Sequence, residues 1–119
     1  MADSLYDRLG GEAGITAIVS DVIRNHQNNP AVKARFQDTD TELLHRRVVE
    51  FFGMGSGGPQ KYTGKDMREA HRAMNISGGE FLAVIDDVMN ALDKNGINSE
   101  TKNEVLGILY SLKDEVVGL

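Results

Sequence analysis

The chain has 119 residues, of which 40% are hydrophobic, 26% are charged and 6% are aromatic, a length that accommodates one domain over residues 1–119 and excludes two. The net charge is −5 and no cluster of lysine and arginine is long enough to follow a phosphate backbone, so we expect no nucleic-acid partner. Without cysteine there can be no disulfide, iron–sulfur cluster or thiolate ligand, and without a long apolar run we expect a soluble, cytoplasmic protein with no membrane partner.

Apolar residues recur with helical spacing in the first half of the chain. The spacing predicts one helix over residues 12–27 and a second over residues 40–52. Thr39 and Glu42 have the spacing of a capping box at the start of the second helix. Each helix therefore has one apolar face that must be buried.

A glycine-rich segment, residues 53–66, follows the second helix. It holds five of the 13 glycines and one of the two prolines, which predicts an irregular loop. In the short pattern that comes next, Met67, Ala70, His71 and Met74 share one helical face. One or two helical turns thus carry His71 on an apolar face.

Two further apolar stripes in the second half of the chain predict helices over residues 79–94 and 99–117. The turn signal Asn95-Gly96 separates them. No stretch alternates with a period of two for long enough to predict a sheet. The predicted fold class is therefore all-α.

His71 is the candidate metal ligand. A single histidine on an apolar helix face is more often a packed core residue than a ligand. Neither a pair of metal-binding histidines nor a nucleophilic triad can be assembled locally from His26, His45 and His71. If His71 binds a metal by itself, the in-plane ligands must come from a cofactor, and haem with one proximal histidine meets that requirement. At this point both interpretations of His71 stay open.

Four stretches of the chain resemble, in order and in spacing, the group I truncated haemoglobins. The combination consists of a Gly-Gly pair after a short first helix, a Gly-Gly pair before a Tyr-x-Gly loop, and a Met-x-x-x-His pattern. The likeness extends nearly from end to end and includes Phe81 and the C-terminal helix. The stretches are LYDRLGG at residues 5–11, FF at 51–52, GGPQKYTG at 57–64 and MREAH at 67–71.

This resemblance implies a two-over-two helical sandwich, in which the first two long helices cross the last two with haem b between them. His71 matches the family's proximal ligand to the iron, and Phe36 matches the phenylalanine that packs against the porphyrin. The other residues that fall where family members line the pocket are Phe51, Phe52, Tyr62, Met67, Ile76, Phe81, Val84 and Ile85.

The distal side of the implied pocket departs from the family pattern. Family members usually place a tyrosine on the first long helix and a glutamine or similar residue on the facing helix, where they donate hydrogen bonds to the bound gas. The matching residues here are Ile23, Leu44 and Val48, and none of them can donate. Since such a hydrogen bond stabilises bound O₂ by about 1 kcal/mol or more, we expect faster oxygen release, with carbon monoxide less affected.

Arg47 is the polar candidate near the distal pocket. Its guanidinium can turn inward toward the ligand or pair with a haem propionate, and the second role is favoured because an unpaired buried guanidinium is costly. We count Lys61 among the haem-binding residues. Lys61 and two other cationic residues, Lys65 and Arg46, can share that electrostatic role. His45 is expected to point away from the iron.

The resemblance implies a monomeric haem protein that binds O₂, CO, NO or a similar gas reversibly, as an oxygen-transport protein does. One alternative is a nitric oxide dioxygenase, which needs a reductase as its partner. Another is a weak peroxidase, whose chemistry requires a distal acid–base group. The alternative outside haem chemistry is a helical interaction module without a cofactor, in which His71 is only a buried residue.

Overall fold

The computed structural model describes residues 4–118, and within them the chain is helical and has no extended strand. None of the helices in that range is long and apolar enough to cross a membrane. Two short 3-10 turns lie at Lys33–Phe36 and Lys113–Glu115. The α-helices are α1 (Leu5–Arg8), α2 (Gly11–Asn28), α3 (Thr41–Gly55), α4 (Met67–His71), α5 (Gly78–Lys94) and α6 (Ser99–Ser111).

Helix α2 lies at the centre of the fold and packs against both α3 and α5, while α5 also packs against α6. The predicted apolar stripe of α2 explains this position, because Ile15, Ile18 and Val19 are at most 1% exposed. The pairs α2–α3 and α5–α6 form the two layers of the sandwich. The prediction of an all-α, two-over-two fold is confirmed.

The apolar side chains form two separate clusters. The larger one is built around α2 and reaches α5 and α6, and the smaller one gathers Ile76, Phe81, Ile85 and Val116. Met89 of α5 and Leu109 of α6 each pack against both clusters. The fold therefore presents two apolar regions joined along α5 and α6.

Helix α3 ends three residues later than expected, at Gly55. Gly53 is buried there because the side chain of Gln60 lies directly over it, closer than a Cβ atom would allow. The backbone N–H of Gly58 also donates to the Gly53 carbonyl at 2.8 Å. The returning loop thus covers Gly53, a helical residue that the sequence pattern assigned to the loop.

Helix α6 ends at Ser111, six residues earlier than the expected 117. The chain leaves the helix because its last residues turn back toward the segment after α4. Val117 pairs with Ile76 as an isolated bridge, and the N–H of Gly118 donates to the Ile76 carbonyl at 2.9 Å. Continuing the helix would forfeit this pairing and the burial of Val116 beside it.

The residue that caps α3 also differs from the prediction. Asp40, not Thr39, accepts the hydrogen bond from the N–H of Leu43, at 3.1 Å. The Thr39 hydroxyl instead donates to the carbonyl of Arg35 at 3.4 Å. Because Thr39 and Asp40 both have side-chain oxygens that can cap a helix, tertiary contacts decide which of the two does so.

Candidate functional site

His71 is the last residue of α4, and its ring is held by its own helix. The Nδ1 atom lies 2.7 Å from the carbonyl oxygen of Met67, one turn earlier. A carbonyl only accepts hydrogen bonds, so Nδ1 carries the proton and Nε2 keeps its lone pair. This arrangement, with one ring nitrogen donating to a backbone carbonyl, is typical of histidines that bind a metal through the other nitrogen.

The position of α4 is set at both ends. Asp66 caps its first turn by accepting from the N–H of Glu69 at 2.8 Å, and the helix packs against the 3-10 turn Lys113–Glu115. After His71 the backbone turns sharply, with left-handed φ values of 66° at Ala73 and 50° at Asn75. These turns bring the chain into the small apolar cluster at Ile76.

The predicted distal residues lie together in the larger apolar cluster. Ile23 is buried at 4% exposure on α2, and Leu44 and Val48 of α3 pack against the same cluster with part of their surface exposed. Phe52, one turn after Val48, joins them there. The residues predicted for the distal side therefore share one apolar environment between α2 and α3.

Three of the predicted pocket residues, Ile76, Phe81 and Ile85, form most of the smaller cluster. Phe81 also meets Tyr110 edge to face, with ring centroids 6.0 Å apart. Val84, on the same helix, is partly buried. The structure thus separates the predicted pocket residues into two apolar groups, one on α2 and α3 and the other after α4 and along α5.

Phe51 and Tyr62 connect α3 to the loop that precedes α4. Their rings meet edge to face, with centroids 5.6 Å apart and planes at 76°. The Tyr62 hydroxyl donates to the carbonyl of Lys65 across a tight turn, and a Cβ atom at Gly64 would lie only 2.5 Å from the hydroxyl oxygen. Burial raises the pKa of the Tyr62 phenol, so this donor keeps its proton.

Arg47 lies in a polar network beside this aromatic pair. Its guanidinium donates to the Thr63 hydroxyl and pairs with Glu50 at 3.4 Å. Glu50 Oε1 accepts from the Thr63 backbone N–H at 3.0 Å and from its hydroxyl at 2.8 Å. The two hydrogen bonds from Thr63, followed by the one from Arg47, hold the pKa of the Glu50 carboxyl below its usual range.

Lys61 and His45 line an open groove of about 390 Å³ beside α2 and α3, and Glu50 of this network borders the same groove. Lys61 is exposed, and acidic residues, among them Glu12 and Glu42, line the groove with it. His45 Nε2 lies 2.9 Å from the hydroxyl oxygen of Ser20, so the imidazole is turned toward α2.

Phe36 is at the end of the first 3-10 turn, and its ring stacks on that of His26, with centroids 5.1 Å apart and planes at 20°. His26 in turn bonds to Asp87 of α5. Sequence reasoning missed this contact, although one signal was present. His26 and Asp87 each interrupt the apolar face of a helix that is expected to pack against another, and a polar group on such a face needs a partner.

A separate apolar cavity of about 180 Å³ lies between α1, the end of α3 and α6. It shares Phe51 and Phe52 with the predicted pocket. Leu5 and Leu9 close it on the side of α1, and Leu109 closes it on the side of α6. Phe51 and Phe52 therefore border this cavity as well as the predicted pocket.

The sequence and the structure both have clear relatives. The model of a family described as bacterial-like globin matches residues 4–117. The group 1 truncated haemoglobin of Mycolicibacterium paratuberculosis is 32% identical over 113 residues, which cover 95% of this chain and 83% of that protein. The group 1 truncated haemoglobin of Tetrahymena pyriformis is 30% identical over 115 residues, with coverage of 97% and 95%.

Among solved structures, the Fe(III) form of the truncated haemoglobin from Tetrahymena pyriformis superimposes with a TM-score of 0.95. The two chains are 29% identical in that comparison, and the match covers 98% of this chain and 100% of the other. The agreement extends over α1 to α6, so it includes the elements that carry every predicted pocket residue.

Proposed function

Since this chain belongs to the bacterial-like globin family and has the group 1 truncated haemoglobins as its relatives, we propose that it binds haem b through His71 and takes up a diatomic gas reversibly. Globins bind haem, and the relatives are named as haemoglobins. We further propose that apolar side chains enclose the porphyrin and that the side facing the bound gas lacks a hydrogen-bond donor.

The observation that carries the proposal is the hydrogen bond between His71 Nδ1 and the Met67 carbonyl, 2.7 Å long. It fixes the tautomer in which Nε2 is a ligand and restrains rotation of the ring. A histidine that was only a packed core residue would be expected to be buried, whereas His71 is partly exposed. Both features support a role as the proximal ligand.

Apolar groups from several elements support binding of a large flat cofactor. Phe36, Phe51, Tyr62, Met67 and Val84 are all partly buried, so each has surface that a porphyrin could cover. Covering apolar surface contributes about 25 cal/mol per Å². The two apolar clusters would supply the opposite walls, with Ile23, Leu44, Val48 and Phe52 on one side and Ile76, Phe81 and Ile85 on the other.

When bound, ferrous haem would supply a coordination position for a diatomic gas. The distal residues Ile23, Leu44 and Val48 would face that position with apolar surface and would offer it no hydrogen-bond donor. The guanidinium of Arg47 is engaged by Glu50 and Thr63, which supports a place at the pocket mouth, near a propionate, over one beside the gas. We therefore propose rapid O₂ release and weaker discrimination against CO.

Gas binding is better supported than peroxide cleavage. A peroxidase needs an acid–base group within hydrogen-bond reach of the peroxide. His45 is the histidine of α3, and its Nε2 atom is bonded to Ser20 on α2 instead. The apolar distal residues offer no substitute.

The test is the visible absorption spectrum of the purified protein after addition of haemin, in the ferric and ferrous states. We expect a Soret band and a five-coordinate ferrous spectrum with His71 as the axial ligand. His71→Ala should lose tight haem binding, whereas the matched variant His45→Ala should keep it. A normal five-coordinate ferrous spectrum in His71→Ala would refute the proximal assignment, and absence of haem binding by the unchanged protein would refute the function.

A further inference from the structure

A buried polar pair joins the last turn of α2 to the middle of α5. His26 Nδ1 lies 2.7 Å from Asp87 Oδ2, and the two residues are only 7% and 6% exposed. Asn29 Nδ2 donates to both carboxylate oxygens of Asp87 at 3.1 Å. Because an ionised carboxylate only accepts hydrogen bonds, His26 Nδ1 carries the shared proton and one edge of the imidazole is fixed.

The face of the same imidazole is in contact with Phe36. The two rings are nearly parallel, with planes at 20° and centroids 5.1 Å apart. The turn that ends in Phe36 is also tied to α5 by the ion pair between Arg35 and Glu80. Phe36 is therefore held from two directions, by an aromatic stack and by an anchored neighbour.

Stability alone is a weak explanation for this buried pair. Replacing a buried ion pair with apolar residues of similar volume is often neutral or stabilising, because burial of charge is costly. A hydrogen bond does, however, fix the orientation of a ring that could otherwise rotate. In this protein the ring so fixed is the one that contacts Phe36.

We propose that His26, oriented by Asp87, is a positioning residue that holds the ring of Phe36 for packing against the haem. This inference rests on the proposed function, because Phe36 is the residue expected to contact the porphyrin. Loss of the orientation should accelerate haem dissociation while the helices still fold. The effect should be transmitted through Phe36 and should vanish when that aromatic ring is absent.

The experiment measures haem dissociation, by transfer from the ferric protein to an excess of an apoglobin scavenger, together with urea unfolding of the apoprotein. The double variant His26→Leu with Asp87→Leu removes both members of the buried pair, and the amide of Asn29, which is partly exposed, can bond to water instead, so the variant should fold. We expect its haem to dissociate about three to ten times faster, the ratio that corresponds to loss of an aromatic pair. Asp87→Asn, which keeps an acceptor for His26, should retain haem at close to the original rate.

Asn25→Ala is the matched control, because Asn25 Nδ2 donates to the Asp87 backbone carbonyl at 3.0 Å and so joins the same two helices. It should lower the unfolding free energy without accelerating haem loss. In a Phe36→Leu background, the double variant should no longer change the dissociation rate.

Haem loss at the original rate in the double variant, or an undiminished effect in the Phe36→Leu background, would overturn the inference. If the double variant is unfolded, His26→Phe gives the same comparison, because it keeps a ring beside Phe36 without its hydrogen bond and should lose haem faster than Asp87→Asn. Equal rates for these two single variants would also overturn it. Failure of the unchanged protein to bind haem would instead refute the proposed function.

Discussion

Arg47 and Glu50 meet at the hydroxyl of Thr63, to which one donates and from which the other accepts a hydrogen bond. The network joins the middle of α3 to the loop before α4. Because that loop leads to α4, the same three side chains link α3, which carries the predicted distal residues Leu44 and Val48, to the segment that carries His71.

Arg47→Ala tests the role of this guanidinium. If Arg47 pairs with a propionate, the variant should lose haem up to about five times faster, as expected for one partly exposed ion pair. The O₂ dissociation rate should be nearly unchanged, because the side chain does not contact the gas. Haem transfer and stopped-flow spectroscopy measure the two rates, and the control is Arg24→Ala, which removes an exposed arginine of α2 that pairs with Asp21 at 3.3 Å. A large change in O₂ dissociation would place Arg47 beside the gas instead.

Ile23→Tyr tests the apolar distal wall. A hydroxyl at this position should hydrogen-bond the bound gas and slow O₂ dissociation about fivefold or more, which corresponds to ~1 kcal/mol. CO dissociation should change less, because bound CO carries less charge. Ile23→Phe adds the same ring without the donor and separates bulk from hydrogen bonding. Equal O₂ dissociation rates for the tyrosine and phenylalanine variants would show that residue 23 lies away from the gas.

Glu80 makes stability dependent on acid pH. The hydrogen bond from Arg35, helped by the Ser77 backbone N–H in a capping box, lowers the pKa of Glu80 from 4.5 to about 2. A carboxyl with a depressed pKa stabilises the fold above its unfolded pKa, and this stabilisation is lost as the pH falls from 4.5 towards 2.

Glu80→Gln keeps the capping geometry and removes the charge. The difference in unfolding free energy between the original protein and this variant should therefore be largest near neutral pH and should shrink steadily below pH 4.5. Urea unfolding at several pH values measures it. A difference that stays constant from neutral to acid pH would contradict the assignment of the ion pair.

Ala73→Gly should relieve backbone strain in the loop after His71. Ala73 has a φ of 66°, a conformation that costs a residue with a Cβ atom about 1 kcal/mol. Asn75 has a φ of 50° but tolerates this region better, so Asn75→Gly should gain less. Urea unfolding of the two variants compares them. A larger gain at Asn75 than at Ala73 would be inconsistent with strain as the cause.

Sequence periodicity predicted the long helices well because their apolar stripes are long and are buried as expected. It failed at their ends, where contacts with residues outside the helix decide at which residue the helix stops. Gln60 covers Gly53 and so extends α3, while the pairing of Val117 with Ile76 shortens α6. Neither contact produces a local sequence pattern, so neither could be predicted from the spacing of apolar residues.

The candidate site shows the same division. His71 is marked by its local pattern and by the resemblance to a family, and the structure adds its hydrogen bond to Met67. The contact of His26 with Asp87 joins residues 61 positions apart, so it becomes visible only when α2 and α5 are packed. The partners of Arg47 likewise depend on how the glycine-rich loop returns along α3, which its composition leaves open.

The closeness of Gly64 to the Tyr62 hydroxyl also constrains how this loop can vary through evolution. A side chain at position 64 would push the phenol away from Phe51 and break its bond to Lys65. Substitutions at the two positions should therefore be correlated among related chains, with any residue larger than glycine at 64 accompanied by loss of the aromatic ring at 62. Gly55, whose Cβ would meet nothing within 4 Å, is free of such a restriction and should vary independently.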